Sequence, residues 1–138
     1  SHVGTLALIH HDLPRFSEAT TLVENEGLDI VSAERQVCGS SHAELGAYLL
    51  GLWGFANPII EAVAYHHAPA QAPDTGFNIV TAIYVAQTMN RALHEGVEIL
   101  PELEARLDME FLESAGVAHR VPVWREYFIR EIKKSTKQ

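Results

Sequence analysis

Helical spacing of the apolar residues along nearly the whole chain is the feature that most restricts its fold. The strict alternation of apolar and polar residues and the Asn-Gly turns of a sheet protein do not occur. Prolines at positions 58, 101 and 122 mark helix starts, and Gly54 and Gly96 mark helix ends. The sequence therefore predicts an all-α bundle of several helices with short connections.

One helix start is defined with particular clarity. Ser41-His42-Ala43-Glu44 has the pattern of a capping box, in which Ser41 accepts from a first-turn amide and Glu44 reaches back to the cap. Large apolar residues recur behind it at helical spacing and predict one apolar face: Leu45, Tyr48, Leu49, Leu52 and Trp53.

A second helix follows after a short turn. Asn57 is expected to be its cap and Pro58 its first residue. The two apolar stripes are in phase about this turn, which predicts two antiparallel helices that pack together at their junction. The side chains expected at that junction are those of Trp53, Leu49, Ile59 and Val63.

Size and charge narrow the class of protein. With 138 residues the chain has room for one domain over residues 1–138. No apolar run reaches the roughly 20 residues of a membrane span, no leader resembles a signal peptide, and the single Cys38 excludes an internal disulfide. The net charge of -8 repels phosphate backbones. We therefore expect a cytoplasmic protein that binds neither membranes nor nucleic acid.

The eight histidines include three that the helix pattern brings near one another. His42 begins one predicted helix, and the adjacent pair His66-His67 ends the next, before Pro69. Helices of similar length in a hairpin place the start of one beside the end of the other. Gly46, one turn after His42, allows another group to approach closely. The residues alone leave two interpretations open, namely hydrogen-bonded histidines at a helix junction or ligands of a metal.

The same region resembles a known family. The matching segments are Glu34, Gly39-Ser40-Ser41-His42-Ala43-Glu44-Leu45-Gly46-Ala47, Leu50-Gly51-Leu52-Trp53-Gly54-Phe55, Pro58 and His66-His67-Ala68-Pro69. They are similar to the HDOD domain (the HD-related output domain), an all-helical bacterial signalling module derived from the HD phosphohydrolase superfamily. The resemblance extends over about residues 3–95, and further helices are expected over 98–135. Domains of this family normally carry another helical segment first, so we expect an N-terminally truncated fragment, with the origin of Ser1 and His2 left open.

The resemblance also implies which positions of an HD metal site have changed. Active HD enzymes bind metal through a His-Asp dipeptide, further histidines and a late Asp. Here the dipeptide falls on Ser1-His2, and the late Asp falls on Gln87, whose neutral amide is a poor ligand. His11-Asp12 does not replace the dipeptide, because Leu13-Pro14 cannot continue a helix in the required way. We expect Asp12 to cap a helix instead.

These observations lead to a functional hypothesis with one alternative. We expect a non-catalytic bacterial signal-transduction output module without a cofactor, which binds a protein partner or a small ligand. A homodimer is one assembly open to it. The residues expected to line the remnant of the HD cleft are His42, His66, His67, Glu34 and Gln87. No stoichiometric metal is expected, because carboxylates are absent at both expected places. The alternative is a metal-dependent phosphohydrolase acting on a nucleotide or phosphoester, with a divalent metal on His42, His66 and His67.

Overall fold

The computed structural model describes residues 2–96 and 100–135. Within these ranges the chain forms nine α-helices and two short 3-10 helices, without a strand, so the predicted all-α class is confirmed. The chain consists of two compact units, residues 1–67 and residues 68–138. The expectation of one domain over residues 1–138 stays a prediction. No helix in the described ranges is long and apolar enough to cross a membrane.

The first unit contains five helices that pack largely on their chain neighbours. They are α1 (His2–His11), α2 (Leu13–Glu26), α3 (Ile30–Cys38), α4 (His42–Leu52) and α5 (Asn57–Tyr65). Helix α4 lies at the centre of this unit, because it contacts α1, α3 and α5. The end of α3, the start of α4 and the end of α5 therefore meet in one region.

Side-chain caps fix several helix starts in this unit. Asp12 caps α2 by accepting from the backbone N–H of Arg15 at 3.1 Å, which confirms the role expected for it. The predicted capping box of Ser41 and Glu44 is present at the start of α4. The prediction for α5 is wrong by one residue. Its cap position is Ala56, which has no side-chain hydrogen bond to give, and Asn57 is already helical.

The buried face of α4 differs from the predicted one. The helix turns its small residues inward, and Ala43, Gly46, Ala47 and Leu50 are buried. Tyr48, Leu52 and Trp53 of the predicted face are exposed instead. Trp53 is 61% exposed, so the prediction that it packs against Leu49, Ile59 and Val63 at the helix junction is wrong.

Close approach of α1 explains this choice of face. Gly4 of α1 lies so near α4 that a Cβ atom there would collide with the carbonyl oxygen of His42 and come within 2.9 Å of the backbone nitrogen of Gly46. Gly46 in turn faces Gly4 and the side chain of Val63. The sequence-based expectation that Gly46 allows close approach is confirmed. Backbones at this distance leave no space for large side chains, so the bulky residues of α4 lie on its other side.

The second unit builds its core around a long helix. Its elements are the 3-10 helix Pro69–Gln71, α6 (Ile79–His94), α7 (Leu100–Glu104), α8 (Met109–Ser114), the 3-10 helix Ala118–Arg120 and α9 (Val121–Ser135). Met89, Leu103, Leu112 and Val121 are among the buried residues of this core. The hydroxyl of Tyr84 accepts the backbone N–H of Asp108 at 2.7 Å, which ties α6 to the start of α8.

Candidate functional site

A buried carboxylate holds the first residue of α4 in place. Glu34 on α3 is 1% exposed, and its Oε2 atom accepts the backbone N–H of His42 at 2.8 Å. The same oxygen lies 2.7 Å from Nδ1 of His42. A carboxylate oxygen can only accept hydrogen bonds, so Nδ1 of His42 donates to it, and Nε2 is the ring nitrogen left for other partners.

The capping box fixes the same helix start from the other side. Glu44 accepts the backbone N–H of Ser41 at 2.8 Å, and the Ser41 hydroxyl oxygen accepts the backbone N–H of Glu44 at 3.2 Å. Arg35 of α3 pairs with the Glu44 carboxylate at 2.9 Å. The hydrogen bond from Arg35, with those from Ser41, lowers the pKa of Glu44 to about 2. The end of α3 is thus bound to the start of α4 by both Glu34 and Arg35.

The end of α5 brings two further imidazoles to this point. His66 follows the last residue of α5, and its Nδ1 donates to the carbonyl oxygen of Val63 at 2.7 Å. Its Nε2 lies 3.3 Å from Nε2 of His42. His67 places its Nε2 3.0 Å from the same atom. The predicted proximity of these three histidines is confirmed.

The histidines differ in their exposure and share a low basicity. His42 and His66 are buried, whereas His67 keeps much of its surface exposed. Burial of the ring, and then the neighbouring His67, lowers the pKa of His66 to about 4. Partial removal of its ring from water, and then the neighbouring His42, lowers the pKa of His67 to about 4 as well. Both rings are therefore neutral near pH 7, as metal ligands and hydrogen-bond acceptors must be.

The donor set determines what this arrangement can hold. Among the described residues, His42, His66 and His67 form one group able to hold a metal ion, since one ring nitrogen of each lies within 4.8 Å of the others. Three neutral imidazoles suit borderline cations such as Zn²⁺ and fit poorly with hard cations such as Mg²⁺, which prefer oxygen. Glu34 contacts Nδ1 of His42, so it would orient this ligand residue without binding the metal itself.

The remaining positions predicted for the site are the dipeptide position, Ser1-His2, and Gln87. Ser1 of the dipeptide position lies outside the described residues, as does the side chain of His2. Gln87 lies on α6 in the second unit and is exposed. Its membership of a cleft shared with the histidines stays a prediction, as does the binding role of the whole set.

Two functional features were missed by the sequence analysis. Arg35 carries no motif, and its pairing with Glu44 follows only from the packing of α3 on α4. The small-residue stripe of α4 did carry a signal, because Ala43, Gly46 and Ala47 are themselves spaced as one helix face. The larger apolar residues of α4 recur with the same period, and the prediction of the buried face followed them instead.

Comparison with known proteins bears on this first unit. No curated protein and no solved structure matches the chain. The family profile of the HDOD domain matches residues 1–69, which is half of the 138 residues and includes Glu34 and all three histidines of the cluster. The chain therefore belongs to the HDOD domain family.

Proposed function

We propose that this chain is a non-catalytic signal-transduction module that acts by binding a protein partner. One observation carries the proposal. The Glu34 carboxylate accepts two hydrogen bonds from His42 through one oxygen and so orients its ring. Among the described residues, no carboxylate belongs to the group that could hold a metal.

The chemistry of phosphoester hydrolysis explains why this matters. A metal-dependent hydrolase needs a cation to acidify water and to hold the phosphoryl group, and a positioned base to handle the proton. The HD pattern supplies carboxylates for this work, whereas Ser1, His2 and Gln87 stand at those positions here. The three imidazoles of the cluster offer ligand atoms without a carboxylate among them. Loss of catalysis with retention of the fold suits a module that signals by binding.

An exposed apolar surface of the first unit supports the partner. It comprises Tyr48, Leu52, Trp53 and Phe55, at the end of α4 and in the turn after it, and we call it the aromatic face. Tyr48 and Leu52 are each 65% exposed. Aromatic side chains are enriched in the buried centres of protein interfaces, and several large exposed apolar side chains close together in the chain are typical of a binding site.

The second candidate function is the metal-dependent phosphohydrolase. The convergence of His42, His66 and His67 favours it, because three imidazoles and a water molecule are a known catalytic zinc arrangement. Turnover of a generic phosphomonoester and a generic phosphodiester by protein supplied with Zn²⁺, Mn²⁺ or Mg²⁺ distinguishes the two. The proposal predicts no turnover above that of the His67→Ala variant. Turnover that disappears in both His66→Ala and His67→Ala would establish the enzyme instead.

Site-specific photo-crosslinking tests the binding role directly. A photoreactive amino acid at position 52, in the aromatic face, is compared with the same residue at the exposed position 36 on α3. In the native host we expect a discrete protein adduct from position 52 and none from position 36. An adduct whose mass equals two copies of the chain would identify the partner as a homodimer mate. Absence of adducts, or identical adducts from both positions, would contradict the proposal.

A further inference from the structure

A small recess lies on the surface of the second unit, where α6 packs against α9. It has a volume of about 120 Å³, and its lining side chains are all aliphatic or aromatic: Phe77, Ala82, Val85, Ala86, Trp124 and Phe128. Among these six side chains the indole N–H of Trp124 is the one polar group. A charged ligand would lose its hydration here without compensation, so the recess favours a neutral ligand.

The two helices contribute side chains of very different size. Ala82 and Ala86 are one turn apart on α6, so their methyl groups lie on the same helix face, and Val85 lies beside them. Trp124 and Phe128 have the same spacing on α9 and supply aromatic rings. Larger side chains at positions 82 and 86 would fill the space, whereas alanines leave it open.

Phe77 completes the recess from the segment before α6, and hydrogen bonds hold this segment in place. The Thr81 hydroxyl donates to the carbonyl oxygen of Gly76 at 2.8 Å. The side chain of Asn78 accepts the backbone N–H of Val80 at 2.9 Å. The residues on both sides of Phe77 are therefore fixed, although its own side chain is 54% exposed. Because the position of this ring is set before a ligand arrives, binding costs less conformational entropy.

The Phe77 and Trp124 rings leave aromatic surface available for a third ring. They are nearly parallel, with an interplanar angle of 20° and centroids 6.1 Å apart. Rings in full face-to-face contact would lie about 3.5–4.0 Å apart, so these two overlap only in part. The volume of the recess also suits one ring, because an apolar cavity of about 150 Å³ is enough to bind benzene.

We propose that the second unit binds a small neutral aromatic molecule of one or two fused rings, one of which lies in this recess against Phe77 and Trp124. Stacking on these two rings selects a flat ligand over a saturated one of the same size. The absence of charge among the lining side chains selects a neutral ligand. The recess shares no residue with the aromatic face of the first unit, so this site goes beyond the proposed function.

An NMR titration of 2-naphthol into protein labelled with ¹³C at its alanine methyl groups tests the proposal. Ring currents of the bound ligand should shift the methyl resonances of Ala82 and Ala86 in a saturable way. The resonance of Ala33, buried in the first unit, should not move. For a ligand this small we expect a Kd of about 0.1–1 mM. Decahydro-2-naphthol, the saturated analogue, should bind at least about 5-fold more weakly.

Two substitutions change the recess in opposite ways. Phe77→Ala removes a ring that is half-exposed, and Ala86→Leu fills the space with a side chain that suits a helix. Each should weaken 2-naphthol binding at least about 5-fold while the circular dichroism spectrum stays unchanged, with Ala82 as the reporter. Tyr127→Ala is the matched control. It removes an aromatic side chain of α9 that is 53% exposed and does not line the recess, and it should bind as the wild type does.

Each outcome supports or overturns the site. Saturable shifts that both substitutions weaken support it. Equal affinity for decahydro-2-naphthol, no shift at the solubility limit of 2-naphthol, or unchanged affinity in Phe77→Ala overturns it. Shifts that follow protein concentration without ligand would assign the recess to a second copy of the chain. Binding of N-acetyltryptophanamide about 10-fold more tightly than 2-naphthol would assign it to a protein side chain instead. The crosslinking test of the aromatic face is independent of all these results.

Discussion

One oxygen of Glu34 accepts two hydrogen bonds from His42, from its backbone N–H at 2.8 Å and from its Nδ1 at 2.7 Å. The first bond satisfies an amide at the start of α4 that has no partner within the helix. The second fixes the proton of the imidazole and turns Nε2 toward His66 and His67. Glu34 therefore links the stability of the helix start to the geometry of the cluster.

Removal of this carboxylate should destabilise the first unit. Glu34→Leu leaves the His42 backbone N–H and Nδ1–H buried without an acceptor, and we expect a cost of about 3 kcal/mol in the free energy of unfolding. Denaturant melts followed by circular dichroism measure it. Glu24→Leu, at an exposed position of α2, is the control and should change the free energy by less than about 0.5 kcal/mol. Equal costs for both variants would contradict the role assigned to Glu34.

The capping box should contribute measurably to stability. Ser41→Ala removes the hydroxyl that accepts the backbone N–H of Glu44, and we expect a loss of about 1 kcal/mol. The same melts measure it. Ser17→Ala removes a hydroxyl from an exposed position within α2 and should be close to neutral. An unchanged midpoint for Ser41→Ala would mean that the cap contributes nothing to the folded state.

The Glu44 carboxylate predicts a dependence of stability on pH. The hydrogen bond from Arg35 lowers the pKa of this carboxyl group in the folded state to about 2, from its ordinary value of 4.5. Because the pKa is lowered by folding, the ionised carboxylate contributes its full stabilisation above pH 4.5. This stabilisation is lost as the pH falls toward 2. Because the pair is partly exposed, the contribution should be below about 1 kcal/mol. The stability difference between the wild type and Glu44→Gln, measured from pH 6 to pH 2, should shrink across this window, and a constant difference would refute the assignment.

The contact between α1 and α4 should tolerate no side chain at position 4. In Gly4→Ala the new methyl group would meet the His42 carbonyl oxygen, so we expect a loss of about 1–3 kcal/mol from overpacking. Gly51→Ala is the matched control within α4, because its methyl group would meet only a side-chain atom at 3.8 Å. Alanine is favoured over glycine inside a helix, so Gly51→Ala should be neutral or stabilising. Thermal melts that rank the two variants the other way would contradict the packing.

Because Trp53 is exposed and Leu50 is buried, substitutions at these two positions should differ in their effect on the free energy of unfolding. Trp53→Ser should change the free energy of unfolding by less than about 0.5 kcal/mol, since the indole is 61% exposed. Leu50→Ala, three residues earlier, removes a buried side chain and should cost about 2–4 kcal/mol. Circular dichroism is the suitable probe, because Trp53→Ser removes a fluorophore. A large loss from Trp53→Ser would restore the sequence-based assignment of Trp53 to the core.

The sequence by itself determined the helical class, several helix starts and the meeting of three histidines. These features depend on local rules. Asp12 and Ser41 cap helices because their side chains reach the next turn of their own backbone. His42 and the pair His66-His67 meet because they lie at the open end of a helical hairpin, where its first helix begins and its second helix ends.

Only the tertiary structure decided which face of α4 is buried and what the histidines can do together. Periodicity shows that a helix has distinct faces, but α4 has two apolar stripes, and the one that is buried depends on the neighbouring backbone. Gly4 allows α1 to approach so closely that only the small stripe fits, which leaves Trp53 outside. Likewise, the direction of Nε2 in His42 follows from a hydrogen bond to Glu34, and in His66 from one to the Val63 carbonyl. Residue spacing contains no information on either hydrogen bond.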